Sequence, residues 1–202
     1  MAPRDPEATK ARILAAALHE FAAKGIAGAR VDAIAARAKV NKRMLYHYFG
    51  SKEGLYREIL RGRLHQRMPS LRGEVAAPDR LAERADRVAT DREYTRLLQW
   101  EALETGPARA VNEPERREFF ETWVASIEDE QRAGHLPADL DARQLLLEEL
   151  FTVLGPSLLP QFVRFVTGRS STDPEFLAAR REFLGALTRR LDAPATRTGG
   201  AR

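Results

Sequence analysis

The sequence predicts an all-α protein with a small basic head at its N-terminus and a larger helical body, and three observations carry that expectation. No Val/Ile/Thr-rich alternating run is bounded by turn residues, so strand signals are nearly absent. Apolar residues instead recur at helical spacing almost throughout. Charge is also uneven: residues 1–63 hold 13 Lys or Arg against 6 Asp or Glu, a net of +7, while the other 139 residues hold 20 against 23, a net of −3. A basic head on a mildly acidic body points to a polyanion as the head's partner, although solvated surface cations would give the same count.

The first helix starts at Asp5-Pro6, a capping residue followed by a proline at the first helical position. It buries Leu14, Leu18 and Phe21 and ends at Gly25. A short second helix runs from Val31 to Ala38, with Val31, Ile34, Ala35 and Ala38 at the i, i+3, i+4, i+7 positions of one buried stripe. The third begins at Asn41, whose side-chain oxygen accepts from free N–H groups of the first turn; Val40 before it and Leu45 at the fourth helical position form a hydrophobic staple. Gly50-Ser51 breaks and recaps the chain, and a fourth helix follows from Lys52 with Leu55, Ile59, Leu60 and Leu64 inward.

Two prolines and Gly73 between Met68 and Pro78 predict a loop that ends this connector. The body helices are expected over 79–89, 92–104, 114–133, 141–167 and 174–191, with Pro156 and Pro160 bending the fourth of them. The domain expectation is therefore a head over 1–51, a connecting helix over 52–72, a helical body over 73–192 and a disordered small-residue tail over 193–202.

Several functions are excluded or left without support. With no cysteine, disulfides, thiolate metal sites and cysteine nucleophiles are ruled out, and His19, His47, His65 and His135 lack zinc-ligand spacing, so no metal or cofactor is expected. The longest uncharged apolar stretch, Leu150 to Val163, has 14 residues and two prolines, too short for a membrane span of roughly 20. No leader-like run opens the chain, which predicts a cytoplasmic location. Neither a catalytic constellation nor a glycine-rich phosphate loop is present, so the chain is not expected to be an enzyme.

A helix that reads DNA must be short, present donors from its first turns and be braced by a preceding helix. Residues 31–49 meet these demands as a helix-turn-helix. Lys42, Arg43, Tyr46 and His47 offer polar side chains, while Leu45, Tyr48 and Phe49 supply the brace. Lys52, in the first turn of the next helix, adds a cation beside unpaired backbone N–H groups, a favourable phosphate site.

The run Ile34-Ala35-Ala36-Arg37-Ala38-Lys39-Val40-Asn41, then Leu45-Tyr46-His47-Tyr48-Phe49 and Lys52-Glu53-Gly54-Leu55, resembles the DNA-binding domain of the TetR family. The resemblance implies a DNA interface of Arg30, Asn41, Lys42, Arg43, Met44, Tyr46, His47 and Lys52. Two positions depart from the family pattern. Lys39 stands where glycine is usual, so the turn either takes a positive φ at a lysine, at a cost on the order of 1 kcal/mol, or turns differently. Arg43 replaces a commonly small residue, and its guanidinium either reads a guanine or holds the helix further out.

The resemblance further implies a body that encloses an effector pocket, here drawn from Tyr94, Leu97, Trp100, Phe119, Phe120, Trp123 and Phe151, for a small apolar or amphipathic ligand. It also implies a homodimer whose last two helices form a four-helix interface, here through Leu158, Phe162, Phe165, Phe183 and Leu187. The segment from Leu145 to Val166 is apolar around most of its circumference, more faces than one core needs. The expected function is a ligand-responsive regulator, most simply a repressor, on a palindromic double-stranded DNA operator. The alternatives are a nonspecific architectural DNA binder, and a helical enzyme or interaction protein with an incidental basic head.

Overall fold

The computed structural model describes residues 5–74, 79–105 and 111–191. Among them are ten helices and no strand: α1 (Pro6–Gly28), α2 (Val31–Ala38), α3 (Lys42–Phe49), α4 (Lys52–Glu74), α5 (Arg80–Thr90), α6 (Arg92–Thr105), α7 (Glu113–Arg132), α8 (Ala142–Leu158), α9 (Pro160–Thr167) and α10 (Pro174–Leu191). The all-α expectation holds, and α5, α6, α7 and α10 fall within one residue of their expected ends. The expected tail lies outside the described residues. Two compact units are distinguished: residues 1–67 with 91–117, and residues 68–90 with 118–202.

In the first unit, Asp5 caps α1 by accepting from the N–H groups of Glu7 (2.9 Å) and Ala8 (3.3 Å). The helix breaks at Gly25, as the sequence indicates, where φ 70° and ψ 175° leave the helical region. The break is held by α6: Glu104 accepts from the N–H of Ile26 at 3.2 Å, and the Trp100 indole donates to the Ala22 carbonyl at 3.2 Å. Expected to pack in the body, α6 belongs to this unit because Tyr94 and Leu97 are buried in the same core as Ile13, Phe21, Ile34, Leu45 and Leu55. Tyr56 joins them edge-on to Phe21 at 5.3 Å, and burial pushes its hydroxyl pKa up.

The expected loop from Met68 is corrected for residues 68–74, which are the last turns of α4; residues 75–78 lie outside the described residues. A proline deletes one N–H and strains one turn. A helix already several turns long keeps adding bonds without a new nucleus.

The second unit buries Leu81, Ala82, Val88, Val153 and Leu184. Beside this apolar cluster sits a buried ion network. Glu149 accepts from Arg80 Nε (3.0 Å) and Nη2 (2.9 Å) through one oxygen and from Arg84 Nη1 (2.6 Å) through the other. The single bent helix expected over 141–167 is instead two helices, α8 and α9, meeting at 84°. The break falls at Leu159, ahead of Pro160, because proline drives its predecessor out of the helical region (φ −127°, ψ 63°). Pro156 leaves α8 intact. The Thr152 carbonyl, which loses its partner to the missing proline N–H, accepts from the Arg180 guanidinium at 2.6 Å. No single described helix is long and apolar enough to cross a membrane; α8 and α9 reach that composition only as the bent pair.

Candidate nucleic-acid interface

The candidate site rests on the turn between α2 and α3. Lys39 takes the left-handed conformation (φ 54°, ψ 45°), the first of the two outcomes open to a lysine at this position. Its N–H donates to Ala36 (3.1 Å) and that of Val40 to Ala35 (3.0 Å), closing the end of α2. Asn41 then caps α3 by accepting from the Arg43 N–H at 2.9 Å. Leu45, fourth in α3, has no exposed surface and anchors the helix in the core with Ile34 and Ala38.

That anchor decides the outward face. Lys42, Arg43, Tyr46 and His47 are all exposed, as are Asn41 and Arg30, while Met44, Tyr48 and Phe49 are half-buried. Four polar side chains at i, i+1, i+4 and i+5 thus share one side of a helix of eight residues. The Arg43 side chain has no hydrogen bond or ion pair among the described residues. Lys42 differs: its ammonium lies 2.9 Å from Asp32 on α2, whose hydrogen bond and charge raise the lysine pKa.

Lys52 is half-buried, and its ammonium donates to the carbonyls of Ala27 and Ala29, both at 3.3 Å. Two of its three donors therefore tie the α1–α2 connection, leaving one for an external anion. Arg30 sits at the α2 N-cap position, where its N–H donates to the buried Glu20 at 3.3 Å. Glu20 also accepts from Lys24 at 2.8 Å; the Lys24 bond, with the Arg30 N–H, holds its carboxyl below the usual range against the opposing effect of burial.

Sequence reasoning missed Asp32 and Glu20 as positioning groups, since neither spacing nor capping rules reveal a pairing across two helices. Gly54 was part of the family-like string without a physical role. A Cβ there would lie 2.1 Å from the Phe49 carbonyl oxygen, so only glycine lets the start of α4 pass the end of α3.

The candidate pocket residues divide between the units. Tyr94, Leu97 and Trp100 belong to the first, with Tyr94 and Leu97 in its core and Trp100 bonded to α1. In the second, Phe119, Phe120 and Trp123 form an aromatic cluster with centroids 5.3–6.4 Å apart, and Arg84 lies over the Trp123 ring at 4.7 Å. Phe151 is not among them: it is 59% exposed, because it lies on the outer side of α8 with Leu147. Of the candidate dimer residues, Phe162, Phe165 and Phe183 are exposed, and Leu158 and Leu187 are half-buried. Among the described residues no group of three His, Asp or Glu side chains is placed to hold a metal ion.

Residues 13–59 match the model for bacterial regulatory proteins of the tetR family, and residues 78–190 match the tetracyclin repressor-like C-terminal domain. The HTH-type transcriptional repressor SCO4008 of Streptomyces coelicolor is 40% identical over 173 residues, covering 83% of this chain and 88% of the repressor. Among solved structures, the transcriptional regulator SCO4942 of S. coelicolor superposes with a TM-score of 0.74 at 27% identity, over 92% of this chain and 99% of its own. FadR from Bacillus subtilis, captured with stearoyl-CoA, shares the fold at 17% identity and a TM-score of 0.63, over 87% of this chain and 97% of FadR.

Proposed function

Since the chain belongs to the TetR family of DNA-binding transcriptional regulators, we propose that it binds a palindromic operator as a homodimer and represses transcription until a small ligand occupies the body. The observation that carries this reading is the face of α3: Arg43, Tyr46 and His47 stand exposed on a helix whose opposite side is locked by the fully buried Leu45. Rigid presentation of donors is what base-edge readout in the major groove requires. In a symmetric dimer the two α3 helices would address half-sites one DNA turn apart, ~34–36 Å.

The interface comprises Arg30, Asn41, Lys42, Arg43, Met44, Tyr46, His47 and Lys52, with Arg43 reading a base and Lys52 anchoring a phosphate. Dimerisation through α8, α9 and α10 is supported by the exposed Leu147, Phe151, Phe162, Phe165 and Phe183, which lie on these three helices. The effector is apolar or amphipathic: the Phe119, Phe120 and Trp123 cluster supplies aromatic surface. The buried Trp123 indole N–H, without a hydrogen bond among the described residues, is a donor for a ligand acceptor. Ligand and operator are negatively coupled, each weakening the other by the same factor.

Selection from random duplex sequences with the purified chain tests the reading. An enriched palindrome is expected, and its absence would instead favour salt-sensitive, architectural binding at all sequences. Arg43→Ala is expected to relax preference at one base position of each half-site, and Lys52→Ala to make the salt dependence shallower by about one phosphate contact.

A further inference from the structure

Helix α1 is broken near its end, and α6 occupies the break. In an unbroken helix the Ile26 N–H donates to the Ala22 carbonyl. Here φ 70° at Gly25 takes the chain off the helical path, and α6 supplies a partner for each group. Glu104 accepts from Ile26 at 3.2 Å through one carboxylate oxygen and from Ala27 at 3.4 Å through the other, while the Trp100 indole donates to Ala22 at 3.2 Å. The approach is close: a Cβ at Gly25 would lie 2.1 Å from a Glu104 oxygen and 3.0 Å from the Trp100 ring.

Residues 26–29 then carry the groups that orient Lys52. Its ammonium donates to the carbonyls of Ala27 and Ala29, both at 3.3 Å, and the Ala29 N–H donates back to Gly25 at 3.2 Å. Ala27 is thus engaged on both sides of its backbone, its N–H by α6 and its carbonyl by α4. All of these groups belong to the first unit. A second polar tie between α1 and α6, from His19 to Glu93 at 3.1 Å, is made ahead of the break.

The short turn after Gly25 is a poor anchor by itself, because a first turn fixes several dihedrals for one hydrogen bond. An ammonium on a flexible four-carbon stem is aimed only as firmly as the carbonyls that hold it. Glu104 and Trp100 make those carbonyls firm.

We propose that Glu104, with Trp100, is a positioning residue for DNA binding: α6 clamps the turn after Gly25, that turn aims the Lys52 ammonium, and the remaining donor of Lys52 meets a DNA phosphate. The inference rests on the phosphate role given to Lys52 above and adds what holds the lysine in place. Glu104 acts through Ala27 and not on the DNA, since phosphates repel a carboxylate.

The test measures binding of the full-length chain, as a function of salt, to random-sequence duplex and to the duplex enriched by selection. The proteins are the parent, E104A, E104Q, K52A, E93Q and the double variant E104A/K52A. E104A and E104Q discard the same charge, but the glutamine keeps a carbonyl acceptor, so the difference between them reports the lost hydrogen bonds. On both duplexes E104A is expected to bind roughly three- to tenfold more weakly than E104Q, with a salt slope shallower by about one phosphate contact, the slope expected of K52A. In the K52A background E104A should cost nothing further. E93Q, which removes only the other tie, should bind like the parent. If E104A matches E104Q while K52A is weakened, the clamp alone is overturned; equal losses from E104A with and without Lys52 would also overturn it, by reducing Glu104 to a structural brace. A K52A protein with the parent's affinity and slope would overturn the phosphate reading and the clamp with it. Without DNA, amide hydrogen exchange at Ile26 and Ala27 should be faster in E104A than in E104Q, and equal rates would refute the clamp's hydrogen bonds.

Discussion

Replacing Lys39 by glycine should stabilise the protein, and the size of the gain follows from the backbone. At φ 54° and ψ 45° the lysine sits in the left-handed region, which costs an L residue with a Cβ roughly 1–2 kcal/mol. Glycine avoids that cost but adds about 0.5–1 kcal/mol of unfolded-chain entropy. The side chain is exposed and has no ion pair among the described residues, so its loss removes nothing that offsets the difference. The net expectation is a gain of about 0.5–1 kcal/mol, or a Tm higher by about 1–4 °C in a chain of this size. Lys39→Ala serves as the control, because it discards the same charge and keeps the Cβ. Thermal and urea unfolding, followed by circular dichroism without DNA, measure all three proteins. If Lys39→Gly fails to exceed the parent, or if Lys39→Ala gains as much, the strain assigned to this turn is refuted.

Gly54→Ala should destabilise the head by about 1–3 kcal/mol, since its new methyl meets the Phe49 backbone oxygen; urea titration with unchanged stability would contradict that close approach. Glu149→Gln removes the carboxylate between Arg80 and Arg84 and should cost about 3–5 kcal/mol in the same assay, because it breaks a buried ion pair on one side only. Glu20 has a folded-state pKa below its ordinary value of 4.5, so its contribution is present above that value and is lost as pH falls through the folded one. Acid unfolding should therefore be less steep in Glu20→Gln below about pH 4.5, and identical profiles would remove Glu20 as a source of the acid sensitivity.

The head was legible because its determinants are near neighbours in sequence. Asn41 caps the helix that follows it, Leu45 lies four residues on, and Gly50 ends the same helix, so each element start could be read from a window of ten residues. The body resisted for the opposite reason. Pro156 and Pro160 carry the same local signal, yet one lies within a continuous helix and the other follows a break. Part of the difference is Arg180, 28 residues from the carbonyl it satisfies. Nothing near Arg80 and Arg84 in sequence signals their burial; the carboxylate that draws them inside, Glu149, is 69 and 65 residues away. The resemblance implies a pocket place for Phe151, which is 59% exposed in the chain, because which side of an apolar helix faces inward is decided by the neighbours that pack on it.

The same contrast bears on how the proposed interface discriminates DNA sequences. Lys42 and Lys52 are cations on the head, but each is already engaged with the protein, the first by Asp32 and the second by two carbonyls. On meeting DNA, each exchanges or shares an existing partner, so its net gain is smaller than that of a fully hydrated charge. Arg43 gives up only water, and its planar fork matches the two acceptors on the guanine edge. In the proposed interface, specificity would therefore be concentrated in Arg43, the one α3 residue that departs from the small side chain the resemblance implies, while Lys42 and Lys52 would fix the register from which it reads.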